Sequence, residues 1–212
     1  MTTVRRLLSC VLMMTLLLTA CGGSGKEDPR QEAALIRGEY LDMTGWSSTV
    51  SITADYGEQV YDFTVRARWE RDGETVLTVV APELLAGITA RVRDGEGLLE
   101  YDGAGLSIGR LDGEGLAPIS AIPALMEQIT GGYMARCVWE GEGEERLLLI
   151  RYRDPDKGEQ EGTEFTLCFC PRTHALLRAE ASVGGVLRLT AVFDDFTVEM
   201  TDDDTGHHEN MG

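Results

Sequence analysis

The sequence predicts an α+β fold that is mainly β: a curved antiparallel sheet of about ten to eleven strands, a half-barrel, wrapped around two or three helices. Three observations predict it. Apolar residues recur with a period of two over most of the chain. Asp-Gly pairs, which favour tight hairpin turns, stand between the alternating stretches. Helical spacing is confined to an early segment and a central one.

Asp28-Pro29 opens the first helix, with a carboxylate at the cap and proline in the first turn. Ala33, Ile36, Tyr40 and Met43 follow at spacings of three and four on one face, and Thr44-Gly45 ends the run. The period then changes. In "YDFTVRARWE", residues 61–70, Tyr61, Phe63, Val65, Ala67 and Trp69 share one face while Asp62, Thr64, Arg66, Arg68 and Glu70 share the other, which describes a sheet with one buried side. Further strands are expected at 48–54, 75–81, 87–93, 97–102, 105–111, 135–140, 146–153, 164–170, 176–183 and 186–198. Asp72-Gly73, Asp94-Gly95, Asp102-Gly103 and Asp112-Gly113 punctuate them, and connections that short join only antiparallel neighbours, so the expected plan is one long meander. Pro82 to Leu85 reads as a short helical turn. "PISAIPALMEQITGGY", residues 118–133, gives the central helix, striped by Ile122, Leu125, Met126 and Ile129 and stopped by Gly131-Gly132. A strongly twisted sheet of about ten strands curls, splits or closes, and a half-barrel holding its helices in the concave side is one stable outcome.

The first twenty residues hold Arg5, Arg6, an apolar run from Leu7 to Leu18, and no acid, the layout of a secretory signal peptide. The run is too short for the ~20 residues of a membrane-spanning helix. Leu18-Thr19-Ala20-Cys21 resembles the bacterial lipoprotein box, and that resemblance implies lipidation of Cys21 with cleavage before it. The expected organisation is a signal peptide at 1–20, an acylated tether at 21–28, one domain at 29–200 and an acidic tail at 201–212. The expected location is the extracytoplasmic face of a membrane, held by N-terminal acyl chains, since two or three chains anchor where one does not. Nineteen basic against 36 acidic side chains leave a net charge of −17 and no basic cluster on the folded part, which excludes nucleic acid as a partner.

The lipobox, the early helix, the strands, "PELLAGI" at 82–88, "LLEYDG" at 98–103, the central helix and "FDDF" at 193–196 together resemble LolA/LppX-like lipoproteins. Within that superfamily the pattern is closest to the germination lipoproteins of spore-forming bacteria. The resemblance implies a LolA-like half-barrel that holds a lipid acyl chain between sheet and helices. The expected lining is Tyr61, Phe63, Val65 and Trp69 from the sheet with Ile122, Leu125, Met126 and Ile129 from the helix. The same apolar positions would also fill a packed core. For the germination branch the resemblance implies an alternative, a tethered scaffold that regulates an envelope enzyme such as a cell-wall amidase. An exposed apolar patch would mark that second use.

No enzyme is predicted. "GLSIG", residues 105–109, fits the G-x-S-x-G pattern, but that motif needs a strand-to-helix turn, and Ser107 is flanked by hairpin signals. No metal or cofactor is expected either: "DPDKGEQEG" at 154–162 lacks the ligand order of a calcium loop, and His207-His208 sit in the tail. Cys168 and Cys170 form C-x-C, and Cys137 is expected two strands away, at roughly 9 to 10 Å for ~4.8 Å per strand. That exceeds the reach of a disulfide, so free thiols are expected.

Overall fold

A computed structural model describes residues 28–111, 117–158 and 161–200 of the chain. The leader, Cys21, the Asp112-Gly113 turn and the tail lie outside the described residues. Among the described residues are two α-helices, α1 (Pro29–Asp42) and α2 (Pro118–Gly131), and eleven strands. These are β1 (Gly45–Asp55), β2 (Val60–Glu70), β3 (Thr75–Ala81), β4 (Thr89–Arg93), β5 (Glu96–Tyr101), β6 (Ala104–Arg110), β7 (Met134–Glu140), β8 (Leu147–Arg153), β9 (Thr163–Phe169), β10 (Leu176–Val183) and β11 (Val186–Glu199). All pair antiparallel in one open sheet of order β6-β5-β4-β3-β2-β1-β11-β10-β9-β8-β7. The half-barrel read from the sequence is the fold observed.

The order differs from a single meander. The chain enters at the centre on β1, steps outward to the β6 edge, crosses with α2 to the opposite edge at β7, and steps back until β11 closes on β1. Two meanders of local hairpins are thus joined by one helical crossing. Local turn signals specify the steps within each meander, but not the long-range β1–β11 pair.

Side-chain alternation carries one apolar row across the sheet. Cys137, Ile150, Leu167, Ala179, Ala191, Ile52 and Phe63 are successive cross-strand partners from β7 to β2. A second row, Ala67, Leu77, Ala90, Leu99 and Leu106, runs on to β6. Alanines at 179, 181 and 191 keep the middle of this face shallow beneath the helices. Among the described residues the core cluster runs from Ala33 to Phe193, with Phe196 packed against it.

Each helix forms for local reasons. The Asp28 carboxylate accepts from the Arg30 N–H at 3.0 Å and Pro29 occupies the first turn of α1. The buried face of α1 is Ala33, Ile36 and Tyr40, and that of α2 includes Ile122, Leu125 and Ile129. Two arginines tie the helix ends. Arg37 of α1 donates from Nε to the Ile129 carbonyl at 2.8 Å and from Nη2 to the Gly132 carbonyl at 2.5 Å, capping α2. Arg71, in the β2–β3 turn, donates to the Leu41 and Met43 carbonyls and caps α1. Cations at helix C-termini oppose the negative end of the macrodipole as well as satisfying its free carbonyls.

Turn chemistry follows the Asp-Gly signals. Asp94-Gly95 (φ 52° and 76°) and Asp102-Gly103 (φ 49° and 78°) place both residues in the left-handed region that the tightest hairpins require. In Asp72-Gly73 only the aspartate does so, at φ 61°. The Pro82 to Leu85 segment forms a 3-10 turn over Glu83–Leu85.

The three described cysteines are free thiols. Cys137 belongs to the concave row, whereas Cys168 pairs with Leu149 on the other face, two strands away, so neither distance nor direction allows a bridge. Burial pushes both thiols up. Burial also acts on Cys170, but hydrogen bonds from Thr173 and the Arg172 backbone outweigh it and draw that thiol down.

Candidate functional site

Alternate turns of an antiparallel sheet fall at opposite ends, and the β2–β3 and β4–β5 turns share the end that α1 reaches through Met43. There α2 stands off the sheet and leaves an open cleft of about 720 Å³. Tyr40 and Met43 of α1, Trp46, Trp69 and Val92 of the sheet, and Pro123 and Met126 of α2 give it apolar surface. Glu70, Asp72, Glu74, Asp94 and Glu127 supply carboxylates around it, against Arg93 as the one basic lining residue.

The floor is an aromatic row. The Trp46 ring stacks on Phe196 with centroids 5.7 Å apart, Phe196 stacks on Tyr40 at 6.0 Å, and Tyr40 meets Phe169 edge-on at 5.8 Å. Such pairs add to the burial of their area and hold the rings in fixed orientation. The Tyr40 hydroxyl donates to the His174 carbonyl at 3.1 Å and accepts from the Leu176 N–H at 3.2 Å, and its burial pushes the phenol far up. The wall is fixed too, because the Arg71 cap joins the β2–β3 turn to the end of α1.

The rim carboxylates differ in their partners. Glu70 pairs with Arg68 at 2.6 Å, and Glu74 pairs with Arg91, whose Nε also contacts Glu100 at 2.6 Å. Asp72, Asp94 and Glu127 are exposed, on the two hairpin turns and on α2. In the aromatic floor Trp46 is 1% exposed, and its indole Nε1 is buried with no acceptor among the described residues.

Of the residues read from the sequence as ligand-lining, Trp69 and Met126 line this cleft. Val65, Ile122, Leu125 and Ile129 lie in the core cluster away from it. Phe63 packs against that core, and Tyr61 stacks on Phe63 at 6.3 Å toward the opposite end of the sheet, 42% exposed. Sequence reading missed Tyr40, Met43, Trp46 and Val92 as lining residues. Trp46 was legible in principle, since extending the alternation of Ser48, Val50 and Ile52 back by one step puts it on the same face, opposite Trp69.

Ser107 lies on the edge strand β6, and His174 lies in the β9–β10 turn on the other wing of the sheet. No group of three His, Cys, Asp or Glu among the described residues is placed to hold a metal ion. His174 has a structural task instead. Its Nδ1 meets Glu39 Oε2 at 2.7 Å and its Nε2 meets Glu32 Oε1 at 2.9 Å, fastening α1 to the turn. Partial burial favours the neutral ring, but the two carboxylates outweigh it and raise the pKa above 6.5. A group raised in the folded state contributes stability that is full below its unfolded pKa and is lost as pH rises through the folded value. Stability is therefore expected to fall as pH climbs from below 6.5 through the raised His174 pKa. Urea midpoints across that range should show the fall in wild type and a flatter line in His174→Gln; parallel lines would refute the linkage.

No protein-family model matches the chain, and no curated protein matches it significantly. Among solved structures the chain is similar to a LolA superfamily protein from Nitrosomonas europaea, at 12% identity, TM-score 0.43, over 82% of this chain and 94% of that one. It is similar to the lipoprotein LppX from Mycobacterium tuberculosis at 16% identity, TM-score 0.41, over 80% and 96%. A structure of the CwlD amidase from Clostridioides difficile in complex with the GerS lipoprotein matches at 12% identity, TM-score 0.40, over 81% and 96%.

Proposed function

We propose that this chain is a membrane-anchored extracytoplasmic lipoprotein whose domain binds a hydrophobic ligand, the chain of an amphiphile, in the cleft between α2 and the sheet. The observation that carries the reading is the cleft itself. At about 720 Å³ it has the size of a small-molecule site, and it opens beside the aromatic row. Leu125, Ile122 and Ile129 are packed in the core rather than along this cleft, which is why the reading puts the ligand at this end of the sheet. A neutral probe tests the assignment. N-phenyl-1-naphthylamine should brighten on binding the wild-type protein and stay dim with Met126→Trp, which fills the cleft. Equal brightening of both would place the ligand elsewhere.

The anchor rests on the sequence: a basic pair, a short apolar run, the Leu18-Thr19-Ala20-Cys21 box and a glycine-rich tether. Metabolic labelling with a fatty-acid analogue should mark the wild-type chain and leave Cys21→Ala unlabelled. Equal incorporation into both would refute acylation at Cys21.

A tethered scaffold for an envelope enzyme is the second reading, and one observation favours it. At the end of the sheet opposite the cleft, Tyr56, Val60, Leu84, Tyr101 and Val186 are exposed at or beside successive turns, Leu84 at 90%. A crest of that kind fits a protein contact better than a ligand. Leu84→Glu with Tyr101→Ser should abolish co-purification of the enzyme while leaving naphthylamine binding intact. Retained co-purification would remove the crest from the account.

A further inference from the structure

We infer that the cleft selects a cationic amphiphile, an apolar chain ending in an ammonium group with an ester or hydroxyl oxygen next to it. The inference rests on the ligand-binding reading and adds the chemistry of the head group. Three features converge on it. First, the mouth is negative in a way that its own ion pairs do not cancel. Arg68 and Arg91 answer Glu70 and Glu74, which leaves the three carboxylates of Asp72, Asp94 and Glu127 against two guanidiniums, Arg93 in the lining and Arg71 held at the Met43 carbonyl beside it. The two aspartates sit on turns two strands apart, roughly 10 Å at the usual strand spacing, so an ammonium between them lies within one Debye length of both. An anionic head would meet the same groups as repulsion.

Second, Trp69 and Tyr40 add aromatic surface to the same cleft, and the negative face of an aromatic ring attracts an ammonium that carboxylates have drawn in. Third, Trp46, one of the lining residues, holds a donor that no acceptor among the described residues meets. Its buried indole N–H bears the cost of an unmade hydrogen bond. Met126, unbranched and only partly buried, stands in the same lining and can swing aside. An oxygen on the ligand then supplies the missing acceptor. Acidic side chains alone would describe a solvated surface. Carboxylates, aromatic faces and an orphaned donor in one cleft describe a recognition site.

The test uses the chain from residue 21 onward with Cys21→Ala, so that no attached acyl group competes; this keeps every described residue, including the Asp28 cap of α1. Trp139→Phe in this background leaves Trp46 and Trp69 of the three tryptophans as fluorescent reporters. Glycine dodecyl ester, dodecylammonium, dodecyl maltoside and dodecyl sulfate are titrated below their micelle concentrations. The ester is expected to bind about tenfold more tightly than the maltoside, and the advantage should shrink when salt is raised to about 0.3 M. Asp94→Asn with Glu127→Gln should erase the advantage of the ester over the maltoside. Trp46→Phe should weaken the ester by about threefold to tenfold more than it weakens dodecylammonium, since only the ester loses a hydrogen bond. Equal or tighter binding of dodecyl sulfate, or an ester preference that survives the double substitution, overturns the inference. If maltoside and ester bind equally, the ligand-binding reading stands and the head-group selectivity falls; if no amphiphile binds, both fall.

Discussion

Leu125→Ala is expected to lower the unfolding free energy by about 3 to 5 kcal/mol, the range for truncating a leucine that has no room to relax. Leu125 is 0% exposed and sits midway along α2 in the continuous core with Ile122 and Ile129. It is not among the residues lining the cleft, so naphthylamine binding to the folded fraction should be unchanged. Urea unfolding gives the first quantity and probe titration the second. The pair of results distinguishes a dry interface from a hollow one. Had Leu125 lined a ligand cavity, its truncation would cost less stability, because a cavity wall lacks neighbours on one side, and it would alter binding. A cost below about 1.5 kcal/mol together with altered probe affinity would show that the interior, rather than the end cleft, is the ligand space.

Arg37→Met is expected to destabilise the domain by about 2 to 3 kcal/mol. The substitution keeps most of the apolar stem and removes the guanidinium that reaches the Ile129 and Gly132 carbonyls. Both acceptors lie at the C-terminus of α2, where the helix has no internal donors to offer. The loss exceeds that of a surface ion pair because these contacts are part-buried and connect residues about ninety positions apart in sequence. Arg37→Lys should recover only a fraction, since a point ammonium cannot reproduce the planar fork that serves two carbonyls at once. Full recovery with lysine would mean that charge near the helix terminus, and not the fork, supplies the stability.

Much of this architecture is legible in the sequence because its steps are local. Alternation in 61–70 fixed the inward face of β2, and Asp94-Gly95 and Asp102-Gly103 fixed their hairpins through a left-handed requirement that few residue pairs meet. The helical stripe at Ile122, Leu125 and Ile129 was equally clear. What periodicity does not carry is the difference between filling a core and lining a cleft, since both require apolar side chains at the same spacing. Met126 is one residue from Leu125 and stands in the cleft while Leu125 stands in the core, a rotation of about 100° around the helix. The central β1–β11 pair and the two arginine caps join residues distant in sequence, and no short-range pattern encodes them. The role of His174 is equally non-local, because Glu32 and Glu39 meet it only after α1 has packed across the sheet.

The most direct test of the central claim is to ask what the folded domain carries. The chain from residue 21 with Cys21→Ala is exported from an expression host, purified without detergent, extracted with organic solvent and analysed by lipid mass spectrometry beside Met126→Trp prepared in the same way. A stoichiometric amphiphile is expected in the extract of the protein with an open cleft, and its loss when the cleft is filled. An empty extract from the open form, or the same lipid in equal amount from both proteins, would contradict it.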